Sequence, residues 1–161
     1  MNPNPFAGDP DRSAIWEMLV PRDSQAFADR DWAAVADDFT EERFEGVTAN
    51  GSGDPDRWTL GYPTLTSYRD AWLKMGVEFN AKPFERITPR ELLHRISTLN
   101  EIEISGDRAL AHKKFRADEP LRDGTRFKLC CQSLYRLHRI NGRWKIVGFV
   151  GYLPLKEGSP A

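Results

Sequence analysis

Apolar positions change their period once along the chain. Up to about residue 80 they recur every three to four residues, and from about residue 84 they alternate. In the first segment, residues 12–31 place Ile15, Met18, Leu19, Ala26 and Phe27 along one helical face. Pro21 interrupts that pattern, and its missing N–H predicts a kink or a split there. Asp11 is a capping candidate, with Asp9-Pro10 before it. Asp31 is placed to cap a second, short helix with Trp32, Val35 and Phe39 inward. Residues 44–49 read as one short strand, and Asn50 to Pro55 as turn chemistry. A third helix follows over residues 64–79, capped by Thr64 or Thr66, with Leu65, Tyr68, Trp72, Met75 and Phe79 on one face.

Residues 94–115 then read as two strands joined at Gly106-Asp107, and residues 126–140 as one long strand. Asn141-Gly142 joins that strand to residues 142–153, and this dipeptide between alternating runs is a strong hairpin signal. Helices first and an antiparallel meander afterwards make an α+β layout. The turns set a register. Ile104 is expected opposite Ala109, Ile102 opposite Ala111, Asn100 opposite Lys113 and Thr98 opposite Phe115. In the second hairpin, Arg139 is expected opposite Trp144, Leu137 opposite Ile146, Tyr135 opposite Gly148 and Ser133 opposite Val150. Apolar matching of the middle strands puts Phe115 near Phe127 and Ala111 near Cys131.

This pairing gathers the isoleucines, Trp144, Tyr135, Asn100, Lys113 and Ser133 on an inner face covered by the helices. The outer face keeps Leu110, Leu134, Val147 and Phe149 beside charged residues. That apolar set predicts a homodimer through the outer sheet face.

Three stretches carry a resemblance: Arg30-Asp31-Trp32, Gly106-Asp107-Arg108-Ala109 and Gly142-Arg143-Trp144-Lys145-Ile146. With the order of elements, over roughly residues 11–153, the chain resembles the nuclear-transport-factor-like superfamily and within it the SnoaL-like proteins. The resemblance implies a cone: a strongly curved antiparallel sheet packed on N-terminal helices, with a pocket at the wide end. The Trp144 hairpin would complete the cone's wall. The expected organisation is a flexible N-terminal arm over 1–10, a single SnoaL-like domain over 11–155 and a C-terminal tail over 156–161. Members of the superfamily include isomerases, cyclases, dehydratases and non-catalytic binding modules, so function has to be argued from the site.

Composition narrows the choice. A net charge of -1, from 23 basic and 24 acidic residues, argues against a nucleic-acid partner. No apolar run approaches the roughly 18 residues of a membrane span, and the opening residues have no signal-peptide core. Cys130 and Cys131 are adjacent, which strains an ordinary disulfide, so they are read as reduced thiols in a cytoplasmic protein. No cysteine or histidine spacing suits a metal, and no phosphate-binding loop occurs, so neither metal nor cofactor is expected.

The candidate chemistry is small. Steroid-isomerase-like members use a carboxylate base on the first strand, and a tyrosine with a protonated acid as oxyanion hole. The matching base position falls near Gly46 or Val47, with Glu45 beside it, and the strand around Tyr135 carries no carboxylate. His112 and His138 fall on the outer face, and His94, alternating with Ile96, is the one that could reach the pocket rim, which argues against a histidine pair. Glu45 as base and Tyr135 as oxyanion donor are the catalytic candidates. Trp58, Asn100 and Lys113 are the ligand-binding candidates, with Trp58 and Tyr62 on a glycine-rich loop read as a lid. Two readings follow. One is a binder of a small apolar or oxygenated molecule. The other is a cofactor-independent cyclase, isomerase or dehydratase working by acid–base chemistry.

Overall fold

The computed structural model describes residues 3–155, so the expected tail over 156–161 lies outside the described residues. Helix α1 (Pro10–Glu17) starts two residues earlier than Asp11 suggests. Asp9 is the cap, its carboxylate accepting from Arg12 N at 3.0 Å, with Pro10 at the first helical position. The α-helix is split at Pro21 as expected, but the helical run does not end there. Met18–Arg22 widens into a π turn, closed by the Asp23 N–H on Met18 O, and α2 (Asp23–Asp29) continues beyond it. Part of the expected arm is held in place: Asn4 donates to Ser13 Oγ at 2.8 Å, and Phe6 packs against the core.

A short α3 (Ala33–Ala36) puts Val35 and Phe39 in the core, with Trp32 partly buried against them. Thr64 caps α4 (Leu65–Asn80), as one of the two candidates required. A further helix, α5 (Pro89–Ile96), stands where the alternating reading began. Thr88 and Glu91 form a reciprocal capping box, and Pro89 takes the first position. Its apolar residues, Leu92, Leu93 and Ile96, follow helical spacing. The glycine-rich lid segment is corrected as well. It contains a strand, β2 (Thr59–Tyr62), paired antiparallel with β1 (Glu45–Thr48).

The other strands are β3 (Ser97–Ser105), β4 (Arg108–Pro120), β5 (Arg126–Ile140) and β6 (Arg143–Pro154). They form one curved, unclosed six-stranded sheet in the order β2-β1-β6-β5-β4-β3, with β1 parallel to β6 and all other pairs antiparallel. Both turn registers hold near their turns: Ile104 faces Ala109 and Arg139 faces Trp144. The β4–β5 pairing keeps the expected parity but slides by four residues, placing Phe115 opposite Cys131 and Ala111 opposite Tyr135.

Three irregularities overturn the rest of the pairing. An extra residue in β3, between Leu99 and Ile102, turns Leu99 inward opposite Lys113 and leaves Asn100 exposed. An extra residue in β6 at Val147 sets Phe149, rather than Gly148, opposite Tyr135. Phe149 is therefore core, 3% exposed, and leaves the outer face. Beyond it, β6 shifts again between Val150 and Leu153, where Tyr152 takes a positive φ of 62°.

Candidate functional site

The sheet and helices leave a cavity of about 280 Å³ between the inner faces of β4 and β5 and the helices α2, α4 and α5. Its walls are mostly apolar: Phe27, Trp72, Met75 and Phe79 from the helices, Phe115, Phe127 and Leu129 from the strands. Two of the candidates named from sequence are here. Lys113 faces inward by alternation with Ala111 and Phe115, and Tyr135 sits opposite Ala111. Glu78 and Lys82, near the end of α4, are the charged residues at its rim.

Lys113 is 1% exposed. Its Nζ lies 2.6 Å from Asp23 Oδ2 and 5.1 Å from the centre of the Phe115 ring. Removing an ammonium from water is tolerable only with such a partner. Asp23 comes from the first residue of α2, just past the π turn at Pro21, so the irregular helix delivers the carboxylate to the strand's lysine. Pro21 was the readable mark of this position. What it aimed could not be read before the helix and the strand were brought together.

Three phenols share the cavity: Tyr68, Tyr135 and Tyr152. Burial pushes Tyr68 and Tyr135 well above the ordinary tyrosine range, and nearby Asp23 adds to the shift. Tyr152 is raised too, mainly by burial, and its hydroxyl lies 3.3 Å from Met75 Sδ. All three are proton donors at neutral pH. Cys131 also lines the cavity, and burial pushes its thiol up to about 11.

The remaining candidates lie elsewhere. Glu45 is exposed on β1 and pairs with Arg136 Nη2 at 2.9 Å, on the outer side of the sheet. Asn100 is exposed because of the β3 bulge. Trp58 is half-buried, donating its indole N–H to Ser52 O at 2.9 Å, and so staples its own loop. None of the three lines the cavity. His94 lies 3.4 Å from Gln25 Oε1, outside the cavity walls. Among the described residues no cluster of histidine, cysteine and acidic side chains has metal-binding geometry.

No protein-family model matches the sequence, and no curated protein matches it as a relative. Solved structures do match. An NTF2-like protein of unknown function from Pseudomonas putida is 18% identical over 91% of this chain and 88% of its own, with a TM-score of 0.58. A domain of unknown function with a cystatin-like fold from Nostoc punctiforme is 14% identical over 92% and 80%, with a TM-score of 0.61. A ketosteroid isomerase-like protein from Erwinia carotovora is 18% identical over 94% and 99%, with a TM-score of 0.51. These likenesses show the fold: the chain has the NTF2-like architecture expected from its sequence.

Proposed function

We propose that the protein binds a small, mostly apolar, oxygen-bearing molecule inside the cavity. The observation that carries this reading is the buried Lys113–Asp23 pair set in an otherwise apolar wall. An ammonium carries three donors. Asp23 accepts at 2.6 Å, and a ligand oxygen adds a further acceptor. The phenols of Tyr68 and Tyr135 supply neutral donors beside it. A cavity of about 280 Å³ lies at the small end for organic ligands, which favours one or two rings. The test is a titration with 4-nitrophenol, whose anion is coloured. Binding should raise its ionised fraction, and Lys113→Met should weaken it roughly 10–100-fold, the worth of one charge-assisted hydrogen bond. Failure of one- and two-ring phenols, ketones and carboxylic acids to bind sinks the reading.

A second reading is acid–base catalysis of the isomerase, cyclase or dehydratase kind. What favours it is Asp23, whose side chain is 25% exposed and lines the cavity next to Lys113. The base role expected of Glu45 passes to Asp23, with Tyr135 and Lys113 as donors to an oxyanion. The likeness to a structure named ketosteroid isomerase-like agrees with such chemistry without assigning it. Deuterium exchange at the α-carbon of small cyclic ketones, followed by NMR, tests it. Asp23→Asn should abolish exchange.

A homodimer through the outer sheet face and a cytoplasmic setting complete the proposal. Leu110 and Leu134, partly exposed on that face, support the first, whereas Val147 is already buried in the single chain. Two free cysteines support the second. No helix of the described residues is long and apolar enough to cross a membrane.

A further inference from the structure

Asp38 stands just past the end of α3 and is 4% exposed, although it is a carboxylate. Its Oδ1 accepts from Arg22 Nη1 at 2.5 Å. Its Oδ2 is buried, and among the described residues no group hydrogen-bonds to it. A carboxylate oxygen in that condition is costly, and native structures usually supply a partner. Burial raises the pKa of Asp38 although Arg22, Lys145 and Arg143 pull it down.

Beside Asp38 lies a void of about 10 Å³, room for one water molecule. Asp23, Tyr68 and Tyr135 share its wall, and the same three residues line the main cavity. They form the partition between the two spaces.

We infer that the void holds one ordered water bridging Asp38 Oδ2 to a phenol oxygen of Tyr68 or Tyr135, which makes Asp38 a positioning residue for the cavity's hydroxyl donors. The water has two protons. One goes to Oδ2 and the other to the phenol oxygen. That phenol's own O–H then turns away from the void to the other phenol, since Tyr68 and Tyr135 hydrogen-bond to each other. The second phenol's O–H is left for the main cavity, where a ligand oxygen would accept it. Protonation of Asp38 removes the demand for the water's proton, and the phenol proton is free to turn back. The groups facing Asp38 are Arg22 from the π turn, Arg143 and Lys145 from β6, and Asp23 with the two phenols across the void. The consequence for ligands rests on the binding role proposed above, whereas the water itself does not.

The test needs no ligand, so its failure is distinguishable from a failure to bind one. A crystal structure of the full chain should show a water within hydrogen-bond reach of Asp38 Oδ2 and a phenol oxygen. In solution, NMR should show a slowly exchanging tyrosine hydroxyl proton. Its shift should move with pH at a midpoint above the ordinary aspartate range. Asp38→Asn should keep the resonance and lose the pH step. Asp38→Leu fills the void and should lose the resonance. Should Leu prevent folding, the Asn variant decides alone. A dry void, or a pH step that persists in Asp38→Asn, overturns the inference.

Discussion

Lys113 and Asp23 meet 2.6 Å apart, the first from the middle of β4 and the second from the start of α2. They differ in solvent access: the lysine is 1% exposed and the aspartate side chain 25%. Losing the aspartate therefore strands a fully buried cation, whereas losing the lysine leaves a carboxylate that water can reach. Asp23→Asn should destabilise by roughly 3–5 kcal/mol and Lys113→Met by clearly less. The double variant should recover most of the Asp23→Asn loss. Urea melts of the four proteins measure the coupling. Equal losses for the two single variants would mean that the pair is wet.

Trp144 closes the last hairpin as expected, 5% exposed, with the Arg139 guanidinium 4.5 Å from its ring centre. Its indole N–H donates to Asp11 Oδ1 at 3.1 Å, and Arg139 reaches the other oxygen at 2.7 Å. The hairpin is thus tied to α1 through one carboxylate. Trp144→Ala should cost roughly 3–5 kcal/mol, mostly from the lost ring. Asp11→Asn should cost much less, because the carboxylate is exposed. Denaturant melts compare the two, and a small loss for Trp144→Ala would contradict the burial.

The sheet was legible near its turns because a tight turn pins the nearest pairs. Farther away, β-bulges broke the count. Nothing in Leu99-Asn100-Glu101 announces one, whereas Gly148 next to Val147 is a glycine inside a strand pattern, the kind of mark a bulge leaves. Lys113 and Tyr135 kept their inward place because β4 and β5 pair without a break. Asn100 and Phe149 lay beyond bulges and changed faces. Helix α5 was readable, since Thr88-Pro89 with Glu91 carries a capping signature, but the alternation of the following strand masked it. Asp23 and Asp38 carry no local mark of burial, and only the packing of helix on sheet shows what each one faces.

Gly148 is fixed by the parallel contact of β1 with β6. A Cβ there would stand 2.4 Å from Glu45 O and 2.6 Å from Arg136 Nη2. The backbone oxygen cannot yield without moving β1. Gly148→Ala should destabilise by roughly 1–3 kcal/mol or more. Gly8→Ala, where nothing lies within 4 Å, should be close to neutral and serves as the control. Thermal melts of both variants check the difference.

The adjacent cysteines should react very differently. Cys130 is exposed, whereas Cys131 lines the cavity with its thiol pushed up to about 11 by burial. The raised value means that the reactive anion is scarce at neutral pH and grows as pH rises. At pH 8 roughly one Cys131 in a thousand is a thiolate. Iodoacetamide at that pH should alkylate Cys130 alone, as peptide mass spectrometry would show. The slow reaction at Cys131 should accelerate about tenfold per pH unit between 7 and 9. Comparable labelling of both at pH 7 would place Cys131 outside the cavity.

The dimer proposed for the outer face can be tested with a residue that does no other duty. Leu134 lies between His112 and Val150 on that face and is half-buried in the single chain. Leu110 shares the face, whereas Phe149 belongs to the core and cannot report on association. If two copies cover Leu134, a glutamate there becomes a buried, unpaired charge, a penalty of several kcal/mol. Leu134→Glu should weaken the dimer roughly 100-fold or more and leave the circular dichroism of the monomer unchanged. Phe149→Glu should instead unfold the chain, since it drives a charge among Phe44, Tyr62, Tyr68 and Tyr135. Sedimentation at micromolar concentration separates these outcomes, and a monomeric wild type would retire the interface.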